Sequence, residues 1–172
     1  TTLFIIASKS FRTSETLLNA QKAKEWLLAA GINEGDLGKH FLATTANVEA
    51  AESFGIDSTN ILPLWSWIGG RYSVWSCVGL PLALGVGMSV FSDFLAGARE
   101  MDKHFRDTPT QQNLPKILAL ISFWNNNCLG AESYAVVPYC DKFRFFPAYL
   151  QQLEMESNGK SVTKGGEPFD YH

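Results

Sequence analysis

At 172 residues the chain is the size of one ordinary domain, and 46% hydrophobic against 18% charged residues is enough apolar material for a substantial core. A formal net charge of −3 leaves no basic footprint, which argues against a nucleic-acid partner while leaving a local anion site open. Cys77, Cys128 and Cys140 are few, odd in number and widely spaced, which fits reduced thiols in a cytosolic protein better than a disulfide scaffold. Together with His40, His104 and His172 they form no zinc spacing, so no metal is expected.

Thr1 leads directly into an apolar run with no charged leader, and the chain reads as a piece of something longer. Thr2 to Ala7 predicts a short strand buried on both faces of a parallel sheet. Ser8 to Thr13 is the turn after it. A helix follows from Ser14 to Ala30, with Leu17, Leu18, Trp26 and Leu27 among its buried positions and Gly31 as its stop. His40 to Thr44 predicts a second strand, Asn47 to Phe54 a short helix closed by Gly55, and Asn60 to Leu64 a weaker third strand. Strand alternating with helix implies an α/β architecture with parallel strands.

After Trp65 the pattern changes to helix upon helix. Tyr72 to Ser92 carries no charge and is about the length of a membrane span. Pro81, Gly79, Gly85 and Gly87 interrupt it and four serines dilute it, so a pair of short buried helices is expected and no membrane span. Met88 to Phe105 places Val90, Phe91, Phe94, Leu95, Ala98 and Met101 on one helical face, and Asn113 to Asn127 predicts another helix. Ser133 to Pro138 predicts a strand. Phe146, Tyr149, Leu150 and Leu153 then recur at helical spacing; Phe143 extends the row, while Pro147 suits a first turn. Asn158-Gly159 is expected to end this helix in a left-handed cap, and Lys160 to Thr163 to open another strand.

Three places carry candidate chemistry. Ser8, Ser10 and Thr13 put hydroxyls between the carboxyl end of a strand and the amino end of a helix, where unpaired amides favour an anion. Ser and Thr are equally the expected capping residues there, so these residues alone leave capping and anion binding open. Gly69-Gly70 permits close backbone approach to a ligand, and Arg71 offers a permanently charged donor fork, although an isolated motif of this kind is more often a solvated turn. Glu156 sits in the last turn of its helix, where the helix's own negative end disfavours a carboxylate.

Three stretches, in order, resemble the glucose-6-phosphate isomerase (phosphoglucose isomerase) family. They are Phe4-Ile5-Ile6-Ala7-Ser8-Lys9-Ser10-Phe11, Ile68-Gly69-Gly70-Arg71-Tyr72-Ser73-Val74-Trp75-Ser76, and Gln151-Gln152-Leu153-Glu154-Met155-Glu156-Ser157-Asn158-Gly159-Lys160. The resemblance implies a doubly wound, three-layer sugar-isomerase (SIS) fold, incomplete in this chain. Residues 1–87 would belong to the first SIS-like domain and 88–172 to the start of the second. It implies interconversion of glucose 6-phosphate and fructose 6-phosphate through an enediolate, with Glu156 as general base and Arg71 steadying the oxygens. Ser8, Lys9, Ser10 and Thr13 would hold the phosphate, and Gly70 and Gln152 would line the sugar. No cofactor is implied, and the complete enzyme would be a cytoplasmic homodimer of glycolysis and gluconeogenesis.

Three departures stand out: Ser10 stands where Thr is common, which keeps the hydroxyl; Arg12 stands where Thr is frequent, with no role assignable from sequence; and Ser66 replaces an acid common upstream of the glycines. The family's ring-opening His and Lys lie in motifs absent here, and His172 does not match them. An upstream glycine-serine turn is also missing, so this polypeptide alone is expected to bind sugar phosphate weakly and not to turn over. The competing reading is a non-catalytic SIS module that senses sugar phosphates; it would need the phosphate loop but not Glu156 with Arg71.

Overall fold

The computed structural model describes residues 2–169; His172 lies outside them. The chain divides into two compact units, Thr1–Leu95 and Ala96–His172. The domain limits implied by the resemblance, 1–87 and 88–172, fall eight residues earlier.

In the first unit three parallel strands, β1 (Phe4–Ala7), β2 (Phe41–Thr45) and β3 (Ile61–Pro63), lie side by side in chain order. Helix α1 (Ser14–Ala29) connects the first pair and α2 (Val48–Phe54) the second. This is the expected α/β, parallel-sheet architecture in an incomplete form. Register puts Phe4 opposite Phe41, Ile6 opposite Ala43 and Ala43 opposite Ile61. Those five residues therefore share one face of the sheet; Ile6, Phe41, Ala43 and Ile61 make the core with Phe11, Ala20, Leu27, Leu37, Ala51 and Ile56, and the half-buried Phe4 packs against it. The other face carries Ile5, Leu42 and Leu62, all only partly buried. The expectation that β1 is buried on both faces is corrected for β1 itself: on this face Ile5 is half-buried and Ala7 exposed, although Thr44 beside them on β2 is fully buried.

The α1 prediction is right in extent and half right in facing. Ala20 and Leu27 are buried and Leu17 and Ala23 pack against the core, a stripe at spacings of three and four. Leu18 is 62% exposed and Trp26 54%. Each lies one residue from that stripe, about 100° around the helix. Trp26 meets the protein along its edge, against Phe4 at 6.0 Å. Helix α2 has the caps its sequence promises: the Asn47 side chain accepts from the Ala50 amide and Gly55 is left-handed. Ahead of β3, Asp57 accepts from the Thr59 hydroxyl at 2.6 Å and the Thr59 amide at 2.8 Å. These bonds hold its carboxyl below the ordinary range.

The uncharged stretch forms short 3-10 turns (Gly70–Trp75 and Cys77–Gly79) and helix α3 (Leu80–Val86) before α4 (Met88–Asp107). Among them Ser73, Gly79, Ala83 and Phe91 are buried, while Leu84 and Met88 are exposed, so the pair of buried helices is not what forms. Gly79 is where this region closes up: a Cβ there would come 2.3 Å from the Val74 carbonyl and 2.7 Å from the Phe91 ring. Of the face expected on α4, Phe91 is buried, but Val90 and Met101 are exposed. No helix of the described residues is long and apolar enough to cross a membrane.

The second unit contains the rest of α4, helix α5 (Leu114–Phe123) with a π turn at Trp124–Cys128, and helix α6 (Phe146–Leu150) with a π turn at Gln151–Glu156. Asn113 fastens α5 to α4. Its amide donates to the carbonyls of Phe105 at 2.8 Å, Thr108 at 3.2 Å and His104 at 3.3 Å, while its oxygen accepts from the Lys116 amide. His104 completes the joint: Nε2 accepts from the Leu114 amide at 3.0 Å, which leaves Nδ1 to donate to the Thr108 hydroxyl at 3.2 Å. The strand expected at 133–138 does not form. Its β-branched and aromatic residues favour extension, but among the described residues no strand pairs with it. Lys160 to Thr163 contributes a single bridge, Val162 opposite Pro168, in place of a strand.

Candidate functional site

The loop after β1 is built around a buried aromatic. Phe11 is 3% exposed and adopts φ 51°, a left-handed conformation rare for a bulky residue. Its ring meets Phe54 edge-on at 6.0 Å, so core packing holds the strained backbone in place. Around it the loop is tied to the end of β2. The Lys9 carbonyl accepts from the Ala46 amide at 3.0 Å and the Thr45 hydroxyl at 3.2 Å, and the Asn47 amide group donates to the Ser10 carbonyl at 3.1 Å. The Arg12 amide donates to the Ser10 hydroxyl.

These ties leave an open depression of about 570 Å³ lined by Lys9, Ser10, Arg12, Thr13, Ala46 and Asn47. Thr13 stands at the N-cap of α1, yet its side chain makes no capping bond. Two cations and the amino end of a 16-residue helix thus border one hollow, a favourable place for an anion. Three of the four loop residues singled out from sequence line it. Ser8 does not: it is buried, and its hydroxyl lies 3.5 Å from the Thr13 hydroxyl. Arg12, without an assignable role in sequence, borders the hollow, and Asn47 was missed altogether. The signal for Asn47 was its place as an N-cap immediately after a strand.

Gly69 precedes the 3-10 turn that starts at Gly70, and the Tyr72 amide closes onto the Gly69 carbonyl at 3.0 Å. Ser73 is buried and its hydroxyl returns to the Gly70 carbonyl at 2.6 Å, which fixes the turn that presents Arg71. The exposed Arg71 guanidinium lies 5.9 Å from the Tyr72 ring. A Cβ on Gly70 would meet no atom within 4 Å, so the chain can approach a ligand closely there.

Glu156 lies in the second unit, at the end of the π turn that follows α6. Its carboxylate is exposed and accepts from the Ser157 hydroxyl at 2.6 Å. The same hydroxyl lies 3.1 Å from the Gln152 carbonyl. Gln152 is exposed, in the same turn. Phe143, Phe146 and Tyr149 form the expected aromatic row, with ring centroids 6.2 Å apart at each step. The left-handed cap at Asn158-Gly159 is corrected, since neither residue has positive φ. The wider π turn ends the helix differently: the Gly159 amide bonds the Met155 carbonyl at 3.0 Å, so close that a Cβ would sit 2.8 Å from that oxygen. Glycine is needed there for proximity and not for handedness. Among the described residues no three His, Cys, Asp or Glu side chains gather as a metal site would require.

The family model for phosphoglucose isomerase matches residues 1–172. The glucose-6-phosphate isomerase of Shewanella pealeana is 53% identical over 171 residues, which is 99% of this chain and 31% of that protein. Its counterpart in Hahella chejuensis is 51% identical over the same span. The crystal structure of a glucose-6-phosphate isomerase from Chlamydia trachomatis superposes with a TM-score of 0.85 at 33% identity, over 99% of this chain and 32% of that one. A hypothetical protein from Thermus thermophilus follows at a TM-score of 0.75 and 27% identity, over 99% of this chain and 40% of that one. The chain thus spans about a third of the length of the curated relatives it matches.

Proposed function

The chain belongs to the phosphoglucose isomerase family, and from that premise we propose that it is the part of a longer aldose-ketose isomerase that carries the proton-transfer base and the phosphate loop. The reaction interconverts glucose 6-phosphate and fructose 6-phosphate. A carboxylate on one face of the substrate takes a proton from one carbon, leaving an enediolate, and returns it to the adjacent carbon. Glu156 is that base: an exposed carboxylate at the end of a helix, which among the described residues accepts from the neutral Ser157 hydroxyl. Arg71 stabilises the negative charge on the reacting oxygens, with Gly70 beside it. Lys9, Ser10 and Thr13 hold the phosphate in the hollow at the amino end of α1, and Ser8 supports Thr13 from below. Gln152, four residues before Glu156, contacts the sugar. The observation that supports this reading most is the hollow at the amino end of α1, whose Lys9 and Ser10 lie in one of the three stretches that resemble the family.

Ring opening falls to a His and a Lys in the remainder of the enzyme, which also completes the phosphate site. The remaining length of such an enzyme covers apolar surface that this segment exposes. Both halves are SIS-type folds, and the enzyme works as a cytoplasmic homodimer in glycolysis and gluconeogenesis. This segment alone binds sugar phosphate weakly and does not turn over.

The test is Glu156→Gln in the complete enzyme. Turnover should fall by about 10²–10⁴-fold, the usual contribution of a general base. Affinity for a non-reacting sugar phosphate should change by no more than a few-fold, because the hollow is untouched. A variant that keeps wild-type turnover would remove the base from the scheme and favour a sugar-phosphate sensor.

A further inference from the structure

The residue after the catalytic carboxylate has no role in the scheme above, yet its hydroxyl donates a short hydrogen bond to that carboxylate. Ser157 Oγ lies 2.6 Å from Glu156 Oε2 and 3.1 Å from the carbonyl oxygen of Gln152. Neighbouring side chains on a regular α-helix point about 100° apart and do not normally converge. Here the backbone is a π turn from Gln151 to Glu156, with Ser157 five residues beyond Gln152. The i to i+5 register brings Ser157 over the Gln152 carbonyl, and the hydroxyl is then within reach of the carboxylate. Such single π turns recur at functional sites. The backbone beyond is pinned too, by the close Gly159 to Met155 contact.

We propose that Ser157 is a positioning residue for Glu156, holding Oε2 so that Oε1 alone moves the substrate proton; this rests on Glu156 being the base. One hydroxyl proton serves two acceptors. The shorter bond goes to the charged one, as charge-assisted bonds do. When Oε1 takes the proton, the substrate C–H bond breaks, its electron pair enters the enediolate and an O–H bond forms at Oε1. Oε2 then loses most of its negative charge, and the Ser157 hydroxyl is free to rotate to the Gln152 carbonyl. When the proton is delivered to the adjacent carbon, the hydroxyl swings back. A donor with a second acceptor in reach follows the charge without leaving either state unbonded.

The experiment uses the complete isomerase with Ser157→Ala, Ser157→Thr and Glu156→Gln. Turnover is followed together with the fraction of deuterium carried from C2 of labelled glucose 6-phosphate to C1 of fructose 6-phosphate. Ser157→Ala should lower kcat by about 10-fold, as small displacements of a reacting group do, with KM changed less than about twofold. The carried fraction should fall at least by about half, because a carboxylate free to turn exchanges its proton with water. Ser157→Thr restores the hydroxyl and should recover most of both. If Ser157→Ala leaves kcat and the carried fraction at wild-type values while Glu156→Gln is inactive, the positioning role is wrong and the base assignment stands. A fall in kcat that Thr does not rescue, with the carried fraction unchanged, also overturns it. If Glu156→Gln is fully active, the base assignment itself fails.

Discussion

Phe11 shows how one side chain can set a binding loop. Its left-handed backbone lets the ring drop into the core against Phe54, and the residues on either side, Ser10 and Arg12, are left facing the hollow. Removing the ring should cost about 3–5 kcal/mol of stability, the usual range for a buried Phe cut to Ala. Phe11→Ala in the complete enzyme should also weaken sugar-phosphate affinity more than it lowers kcat, since the loop and not the base is disturbed. Equal affinity in the variant and the wild type would show that the loop keeps its shape without the anchor. Gly79 is a residue-scale constraint of the opposite kind, with no space for even a methyl group. Because one of the obstructing atoms is a backbone carbonyl, Gly79→Ala should destabilise by about 1–3 kcal/mol through overpacking. An unchanged Tm would mean that the turn shifts freely.

At the scale of elements, the α4–α5 joint depends on one side chain. Asn113 is fully buried, donates to three carbonyls that close α4 and accepts from the first turn of α5. Asn113→Ala should cost about 1–3 kcal/mol, because buried carbonyls lose their donor. Asn113→Asp is the sharper comparison. It keeps the oxygen that caps α5 but turns a carboxylate toward three carbonyl oxygens, so Tm should fall further than with Ala. A milder effect from Asp than from Ala would mean that the cap, and not the donation to α4, holds the joint. The π turn after α6 is the other decisive element, since its register brings Ser157 and Glu156 together and ends the helix without a left-handed residue.

The two units differ in how far they can stand alone. The first has a contiguous apolar core. Among the described residues from Ala96 onward, Asn113 is the buried side chain, while Leu118, Ile121, Phe123 and Trp124 are exposed. A unit that buries so little apolar surface has little to offset its conformational entropy. The isolated 172-residue chain should therefore show slow amide exchange in the β1–β3 region and rapid exchange in α5 and α6. It should also bind a hydrophobic dye that the complete enzyme does not bind. Uniform protection across both units, with no dye binding, would contradict this.

What the sequence determined by itself is local. Periodicity placed β1, β2, β3, α1 and α2 to within a few residues, because a parallel strand and its crossover helix are written as apolar runs and stripes close together in the chain. Motif residues located the loop, the Gly-Gly-Arg turn and Glu156 for the same reason. Facing and pairing were decided only in three dimensions. Whether Leu18 and Trp26 are covered, and whether 133–138 acquires a ladder, depends on neighbours that local pattern does not specify. The same holds for the anchor Phe11, the lining residue Asn47 and the Ser157 bond to Glu156. Each arises from a positive φ, a cross-strand tie or an i to i+5 turn, and these are tertiary compromises that residue order leaves unwritten.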